Sequence, residues 1–451
     1  MRPHFSILGC GGSVTCVPGN AVIVSPYFPP SMVAGVHRAR HLAKHLSSAG
    51  WKPIVICVDE AFHEQRLDPG LAALVPRDVE IIKVRAIPPR ISRTFGVGDI
   101  GLRGWRPLQA AVLKTLASRK VDAILITGSP FYPMLAAPSI KRAFGVPVVL
   151  DFQDPWVSAW GAIQPWNSKA GLSHRLAKVL EPRAVRSADF VTSVSDIQNA
   201  QMAARYPWFD SRRMASIPIG GDPDDFVALR RSPLAEGSED LDPEFINFSY
   251  VGTFMPRSGE LMRVLLRSFR RLRAKHPSLA SRMRLNFVGT SNQPNDFSSY
   301  RVRAIAEAEG VTDVVREIPQ RLPYLRALSV LARSDGILLI GSDEPHYTAS
   351  KIYPALMSGR PFLSLFHQAS SAHKVLTTAG GGLALAFSAK EELAALEEPL
   401  SEALFKVAAA PVSLGVTDRS VYAPFEACAT AQRFGDIFDE LRDSCGQRKR
   451  P

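Results

Sequence analysis

A short apolar run, Gly336-Ile337-Leu338-Leu339-Ile340, limits what this chain can fold into more than any other stretch. An unbroken run with no polar alternation suits a strand buried on both faces, as in a parallel sheet. A polar loop follows; Ser350 or Tyr353 then opens a short helix that Gly359 closes. Pro361 leads a second apolar run, Phe362 to Phe366. Strand, loop, helix and strand form one βαβ unit, the building block of a parallel sheet. The loop leaves the C-terminal end of a strand and delivers Lys351 near the start of a helix. Such sheets take ligands at that edge, and a cation beside free helix N–H groups suits phosphate.

The same alternation recurs along the chain. Ala21 to Ser25 and Pro53 to Val58 read as strands around a helix from about Val36 to Ala49, whose Val36, Ala39, Leu42, Ala43 and Leu46 keep helical spacing. Further strands are expected at 80–84, 123–127, 147–150 and 190–195, with a helix at 172–186, and Met214 to Ile217 leads into the loop from Pro218. Residues 229–244 are polar with proline and glycine and read as a linker. Strands at 246–252, 284–288, 313–317 and 383–387 then alternate with helices at 260–275 and 301–309, and a last helix spans 423–443. The expected fold class is α/β, with two Rossmann-like domains facing across a cleft. The divisions are an extension at 1–20, a first domain at 21–228, the linker at 229–244, a second domain at 245–420 and a terminal helix at 421–445.

Composition narrows the classes. No apolar run approaches the roughly 18 to 20 residues that span a bilayer. The N-terminus is a poor signal peptide, because Phe5 to Leu8 is short and Gly9-Cys10-Gly11-Gly12 breaks it. Cysteines at 10, 16, 57, 428 and 445 make no CxxC pair and no Cys/His cluster, which argues against a disulfide framework and against zinc. The expected compartment is the cytoplasm. A net charge of +12 suits nucleic acid, an anionic membrane surface or phosphorylated substrates, and no nucleic-acid signature is present. Arg85, Arg90, Arg93, Arg103 and Arg106 interleave with Ile87, Ile91, Phe95, Ile100, Leu102 and Trp105. That segment either meets an anionic lipid surface at the inner face of the membrane or packs on its own domain.

Loops at expected strand ends carry the candidate residues. Gly35 either lets backbone approach a substrate or packs a tight loop. Ser129 follows the strand at 123–127. Asp151-Phe152-Gln153-Asp154-Pro155-Trp156 sets two carboxylates beside an indole, where they can meet a substrate hydroxyl; Asp151 can instead cap the turn. Trp156, Trp160 and Trp166 form an apolar wall for an acceptor or lie in the core. In the second half, Gly252 closes a strand and Arg257 follows in its loop.

These motifs resemble the two-domain, retaining family-4-like glycosyltransferases of the GT-B class over about residues 21–440. The family's donor segment reads roughly Lys-x-x-Glu-x-x-x-x-Gly-x-Pro, and here Lys351 to Pro361 reads KIYPALMSGRP. The usual ribose-holding glutamate is replaced by Pro354, and a second one eight residues earlier by His346. Asp151 to Trp156 resembles the family's Asp-Phe-Arg-Asp-Pro-Trp, with Gln153 for arginine. The resemblance implies transfer of a sugar from a nucleoside diphosphate to a glycan or lipid-linked acceptor, in cell-surface polysaccharide or glycolipid synthesis. It further implies no cofactor and no metal. Arg257, Lys351, Gly252, His346 and Tyr347 would then serve the donor, with Asp154 orienting the acceptor and Gly35, Ser129, Asp151 and Trp156 around it. A sugar-nucleotide epimerase and a non-catalytic paralogue that binds a partner or glycan remain the other readings. The terminal helix is expected to cross back to the first domain.

Overall fold

The computed structural model describes residues 18–233, 240–291, 296–344 and 350–448. Among the described residues, thirteen strands form two wholly parallel sheets. The first has seven strands in the order β3-β2-β1-β4-β5-β6-β7. They are β1 (Gly19–Val24), β2 (Trp51–Val58), β3 (Glu80–Val84), β4 (Ala123–Gly128), β5 (Val148–Phe152), β6 (Phe190–Ser193) and β7 (Met214–Ser216). The second has six in the order β10-β9-β8-β11-β12-β13. They are β8 (Ile246–Val251), β9 (Met283–Val288), β10 (Val315–Ile318), β11 (Gly336–Ile340), β12 (Phe362–His367) and β13 (Gly382–Phe387).

The central strands explain why the sheets are parallel. Ile23 of β1 pairs with Val55 on one side and Leu125 on the other, and all three are fully buried. Residues that face helices on both sides of a sheet have no solvent face to keep polar. In each sheet the order reverses beside its first strand, β1 or β8, and ligands of such sheets collect outside the carboxyl ends at that point.

The last helix, Ala427–Arg448, crosses back to the first sheet. Phe434 and Phe438 pack with Trp51, Leu42 and Leu46, and Arg433 donates to the Ser216 carbonyl at 2.7 Å. The crossing is made by backbone contact: Ala427 N–H reaches the Gly221 carbonyl at 2.8 Å, and Gly221 N–H reaches the Phe425 carbonyl at 3.2 Å. The two halves also meet through a buried polar network. Arg40, in the helix Val36–His45, grips Asp225 with two bonds of 2.6 and 2.7 Å. Tyr324, which opens the helix Tyr324–Arg333, donates its hydroxyl to Asp225 at 2.8 Å and its backbone N–H to Asp68 at 2.7 Å.

Some boundaries move. Residues 229–230 finish the helix Pro223–Arg230 rather than starting a linker, and Asp240 is buried, held by Arg326 at 2.5 and 2.7 Å. Of the expected extension at 1–20, residues 1–17 lie outside the described residues, and Gly19 and Asn20 already belong to β1. The basic segment at 85–107 splits in two. A helix at Pro89–Thr94 is exposed, but Ile100–Ser118 is a second helix that turns Ile100 and Arg103 inward. Buried Arg103 donates to the Ile87 and Phe62 carbonyls, both at 3.0 Å, so it ties loops together and meets no external surface.

Candidate functional site

The carboxyl ends of the two sheets enclose a cleft of about 740 Å³. Loops after β4 and β5 bring Ser129, Gln153 and Asp154, and the helix entry brings Gly35. The opposite wall carries Arg321, three residues past the end of β10, with Ser350 and Tyr353. A smaller chamber of about 340 Å³ continues from it, sharing Arg321 and Ser350, and is lined by Gly252, Lys351 and Pro354.

Lys351 precedes the short helix Ile352–Met357, so Pro354 sits at its third position, inside the first turn where a missing N–H is tolerated. The Lys351 ammonium donates to the Tyr250 hydroxyl at 2.7 Å and stands 3.9 Å from that ring's centre. Tyr250 in turn donates to the Thr253 carbonyl at 2.8 Å. Among the described residues no carboxylate pairs with Lys351. The residue keeps some exposed surface, yet its ammonium is enclosed, and burial pushes its pKa down to about 7. Arg321 also pairs with no carboxylate among the described residues; it donates to the Met32 carbonyl at 2.7 Å, across the cleft. Arg321 is itself exposed, though the protein around it still works against its charge. Two cations without counter-charges among the described residues, Arg321 in the loop after β10 and Lys351 before the helix that follows β11, line the smaller chamber and offer positive charge to an anion there.

The first-domain wall is built differently. Gln153 donates its amide to Gly35 O at 3.1 Å and to Thr127 Oγ1 at 2.7 Å, which pins the glycine loop against β5. A Cβ on Gly35 would stand 3.3 Å from both the Gln153 amide oxygen and the Ser129 carbonyl, so the absence of a side chain lets three segments meet there. Asp154 opens to water in the cleft while protein surrounds it, and that desolvation raises its pKa against the opposing Ser129 hydroxyl. A carboxylate with a raised pKa is a good acceptor for a hydroxyl proton.

Three expected site residues stand elsewhere. Arg257 lines neither chamber. Its half-exposed guanidinium pairs with Asp343 and, at 3.2 Å, with Glu344, so its charge is already met on the rim. Asp151 is buried, paired with Arg38 at 3.1 Å, and accepts the hydroxyls of Thr127 at 2.7 Å and Thr192 at 2.8 Å. It holds the sheet and does not reach the cleft. Trp156 packs inward, stacked on Phe131 at 5.4 Å between ring centres, while Trp160 and Trp166 are exposed. His346 and Tyr347 lie outside the described residues. Gly252, with φ of 134°, floors the small chamber 3.6 Å below the Lys351 side chain, measured from where its Cβ would be.

Arg321 is a cleft-lining cation that the sequence reading missed. Its signal was a cation three residues beyond the carboxyl end of a parallel strand. His45, Asp222 and Asp224 lie close enough to share a metal ion, but the Lys44 ammonium sits on both carboxylates at 2.8 and 3.1 Å.

Residues 34–220 match the model of the glycosyl transferase 4-like domain. Curated protein sequences give no match. Solved structures give similarity over nearly the whole chain. A glycosyltransferase from Rickettsia africae is 15% identical with a TM-score of 0.58, covering 94% of this chain and 98% of its own. HepE from Anabaena, solved with UDP and glucose, is 14% identical with a TM-score of 0.57, covering 93% and 99%. The α,α-trehalose 6-phosphate synthase of Burkholderia multivorans is 12% identical with a TM-score of 0.62, covering 97% and 99%. Residues 34–220 are thus similar to a glycosyl transferase 4-like domain, and the two facing parallel sheets give the whole chain the GT-B fold.

Proposed function

We propose that this protein is a retaining glycosyltransferase that moves a sugar from a nucleoside diphosphate to a hydroxyl of a glycan or lipid-linked acceptor. The observation that carries the reading is the enclosed, unpaired Lys351 ammonium facing a cleft whose other wall presents Asp154. As the bond from the anomeric carbon to the diphosphate oxygen breaks, negative charge grows on the leaving group. Fixed cations in a partly desolvated site meet that charge without reorganising. One such cation at about 4 Å attracts a unit charge by about 4 kcal/mol at an effective dielectric near 20. Lys351 and Arg321 supply this charge themselves, in keeping with a metal-independent reaction. HepE, solved on the same fold with UDP and glucose, supports the same class of donor here.

In the retaining course, the acceptor hydroxyl attacks from the leaving-group side. Its oxygen forms the new bond to the anomeric carbon, and its proton passes to the departing diphosphate oxygen. Asp154 orients that hydroxyl from the first-domain wall. The reading places the protein in cell-surface polysaccharide or glycolipid synthesis, at the cytoplasmic face of the membrane.

The test begins with thermal shift against nucleoside diphosphates and their sugars, because a specific ligand raises stability by linkage. Transfer is then followed with the matching donor, and the product's anomeric configuration is read by NMR. Asp154→Asn is expected to lower turnover by about a hundredfold or more while leaving diphosphate affinity unchanged. Equal loss of both would give Asp154 a structural role. Donor binding with no transfer to any acceptor would favour the non-catalytic reading, and conversion of the donor sugar without acceptor an epimerase.

A further inference from the structure

The first domain carries an apolar face that its own fold does not cover. Phe95, Ile163, Trp166, Trp160, Ile91 and Leu172 are between 52% and 80% exposed. They come from the helix Pro89–Thr94 and its following turn, the short helix Ala159–Ala162 and the turn after it, and the start of the helix Lys169–Val185. Monomeric soluble proteins seldom leave so many large apolar side chains in one region without a use for them.

The pieces are joined. Lys169 Nζ donates to the Gly96 carbonyl at 2.8 Å, linking the start of one helix to the turn after another. The helices Ile100–Ser118 and Lys169–Val185 both pack on the 3₁₀ turn Tyr132–Ala136. On the helix Lys169–Val185, exposed Leu172, Leu176 and Val179 recur at helical spacing and make one stripe. Exposed Lys169, Arg175 and Arg183 lie on or beside that stripe.

Charge decides what covers this face. Residues 155–180 contain no aspartate or glutamate, and neither do residues 85–98. Arg93 is paired with Glu64 at 3.0 Å, but Arg85, Arg90, Lys169, Arg175 and Lys178 have no ion pair among the described residues. Exposed aromatic and aliphatic side chains ringed by unpaired cations complement an anionic lipid surface. A second copy fits poorly, since symmetric pairing would set these cations against one another. The face also adjoins the acceptor side of the cleft. Residues 155–180 follow directly on Asp154, which lines the cleft, and buried Trp156 stacks on Phe131 two residues beyond it.

We propose that this face, formed by residues 85–98 and 155–180, docks on the anionic surface of a lipid bilayer and brings the Asp154 side of the cleft to the membrane. No helix among the described residues is long and apolar enough to cross a membrane, so the contact is peripheral. The bilayer contact stands on exposure and charge alone; its use in presenting an acceptor rests on the transferase reading.

Co-sedimentation of the full chain with phosphatidylcholine vesicles, with and without phosphatidylglycerol, tests it. The wild type is expected to bind the anionic vesicles at low salt and to leave them at high salt. Arg175→Gln and Lys178→Gln should each weaken binding about fivefold. Ile163→Ser with Trp166→Ser should abolish it while melting temperature and nucleotide-induced thermal shift stay as in the wild type. No binding at low salt, equal binding to neutral vesicles, or wild-type binding by the serine variant would overturn the proposal. So would a dimer that the serine variant dissolves, which would assign the face to a second copy. Vesicle binding is read without donor, so its failure is separate from a failure of donor binding or transfer.

Discussion

Lys351 shows how one residue can be costly to fold and useful to function. Its ammonium has a hydroxyl and an aromatic face for company, and no counter-charge among the described residues. Burial lowers its pKa from 10.5 to about 7. The unfolded chain therefore binds this proton more tightly. The resulting penalty on stability is fully in force below about pH 7 and is relieved as pH rises from there towards the unfolded value. Binding has the opposite sign, because only the ammonium attracts a diphosphate. Affinity for a nucleoside diphosphate should fall as pH rises through about 7. Asp154, with its raised pKa, must be ionised to take a hydroxyl's hydrogen bond, so activity should also fall as pH drops through its titration. A bell-shaped profile of kcat/KM is expected, with its alkaline limb set by free Lys351 and absent from Lys351→Met. A profile flat across neutral pH would contradict both assignments. Asp151, three residues before Asp154, plays no such part. Its carboxylate is spent on buried Arg38, and breaking a pair of that kind costs about 3–5 kcal/mol.

At the scale of elements, the crossing point of the C-terminal helix is held by glycine. Gly220 has φ of 73°, and a Cβ there would stand 1.9 Å from the Phe425 carbonyl oxygen. Gly220→Ala should therefore destabilise the protein by about 2–4 kcal/mol, from left-handed strain plus the displaced backbone contact. Denaturant melts would measure it, and a change within experimental error would mean that the crossing is not held there. Much of this architecture was legible in the sequence, because strands buried on both faces are written as unbroken apolar runs such as Gly336 to Ile340. The finer placement was not, because it depends on where each strand stops. β5 runs to Phe152, two residues past its expected end at Leu150, so Asp151 belongs to the sheet while Asp154 lies beyond it. β10 runs to Ile318 rather than 317, and the strand-end position of Arg321 stayed hidden. Arg257 has the right local context, yet its partners Asp343 and Glu344 come 86 and 87 residues later, beyond the reach of local pattern.

In the whole molecule, two parallel sheets turn their carboxyl ends towards each other and divide the labour. The first sheet offers a carboxylate, a glycine loop and an apolar cationic face; the second offers Arg321 and Lys351, the cations proposed to meet the donor. Arg40, Asp225 and Tyr324 fasten the halves beside the cleft, and the helix Ala427–Arg448 returns across them. The central claim is that the cleft holds its donor through Lys351 and Arg321 and leaves Arg257 on the rim. Nucleoside diphosphate titrations of Lys351→Met, Arg321→Met and Arg257→Met test it most directly. A lost charged hydrogen bond is worth about 1.5–3 kcal/mol, so the first two variants should bind about ten- to a hundredfold more weakly than wild type, and the third within about twofold of it. Wild-type affinity in Lys351→Met and Arg321→Met, with a large loss in Arg257→Met, would contradict the account.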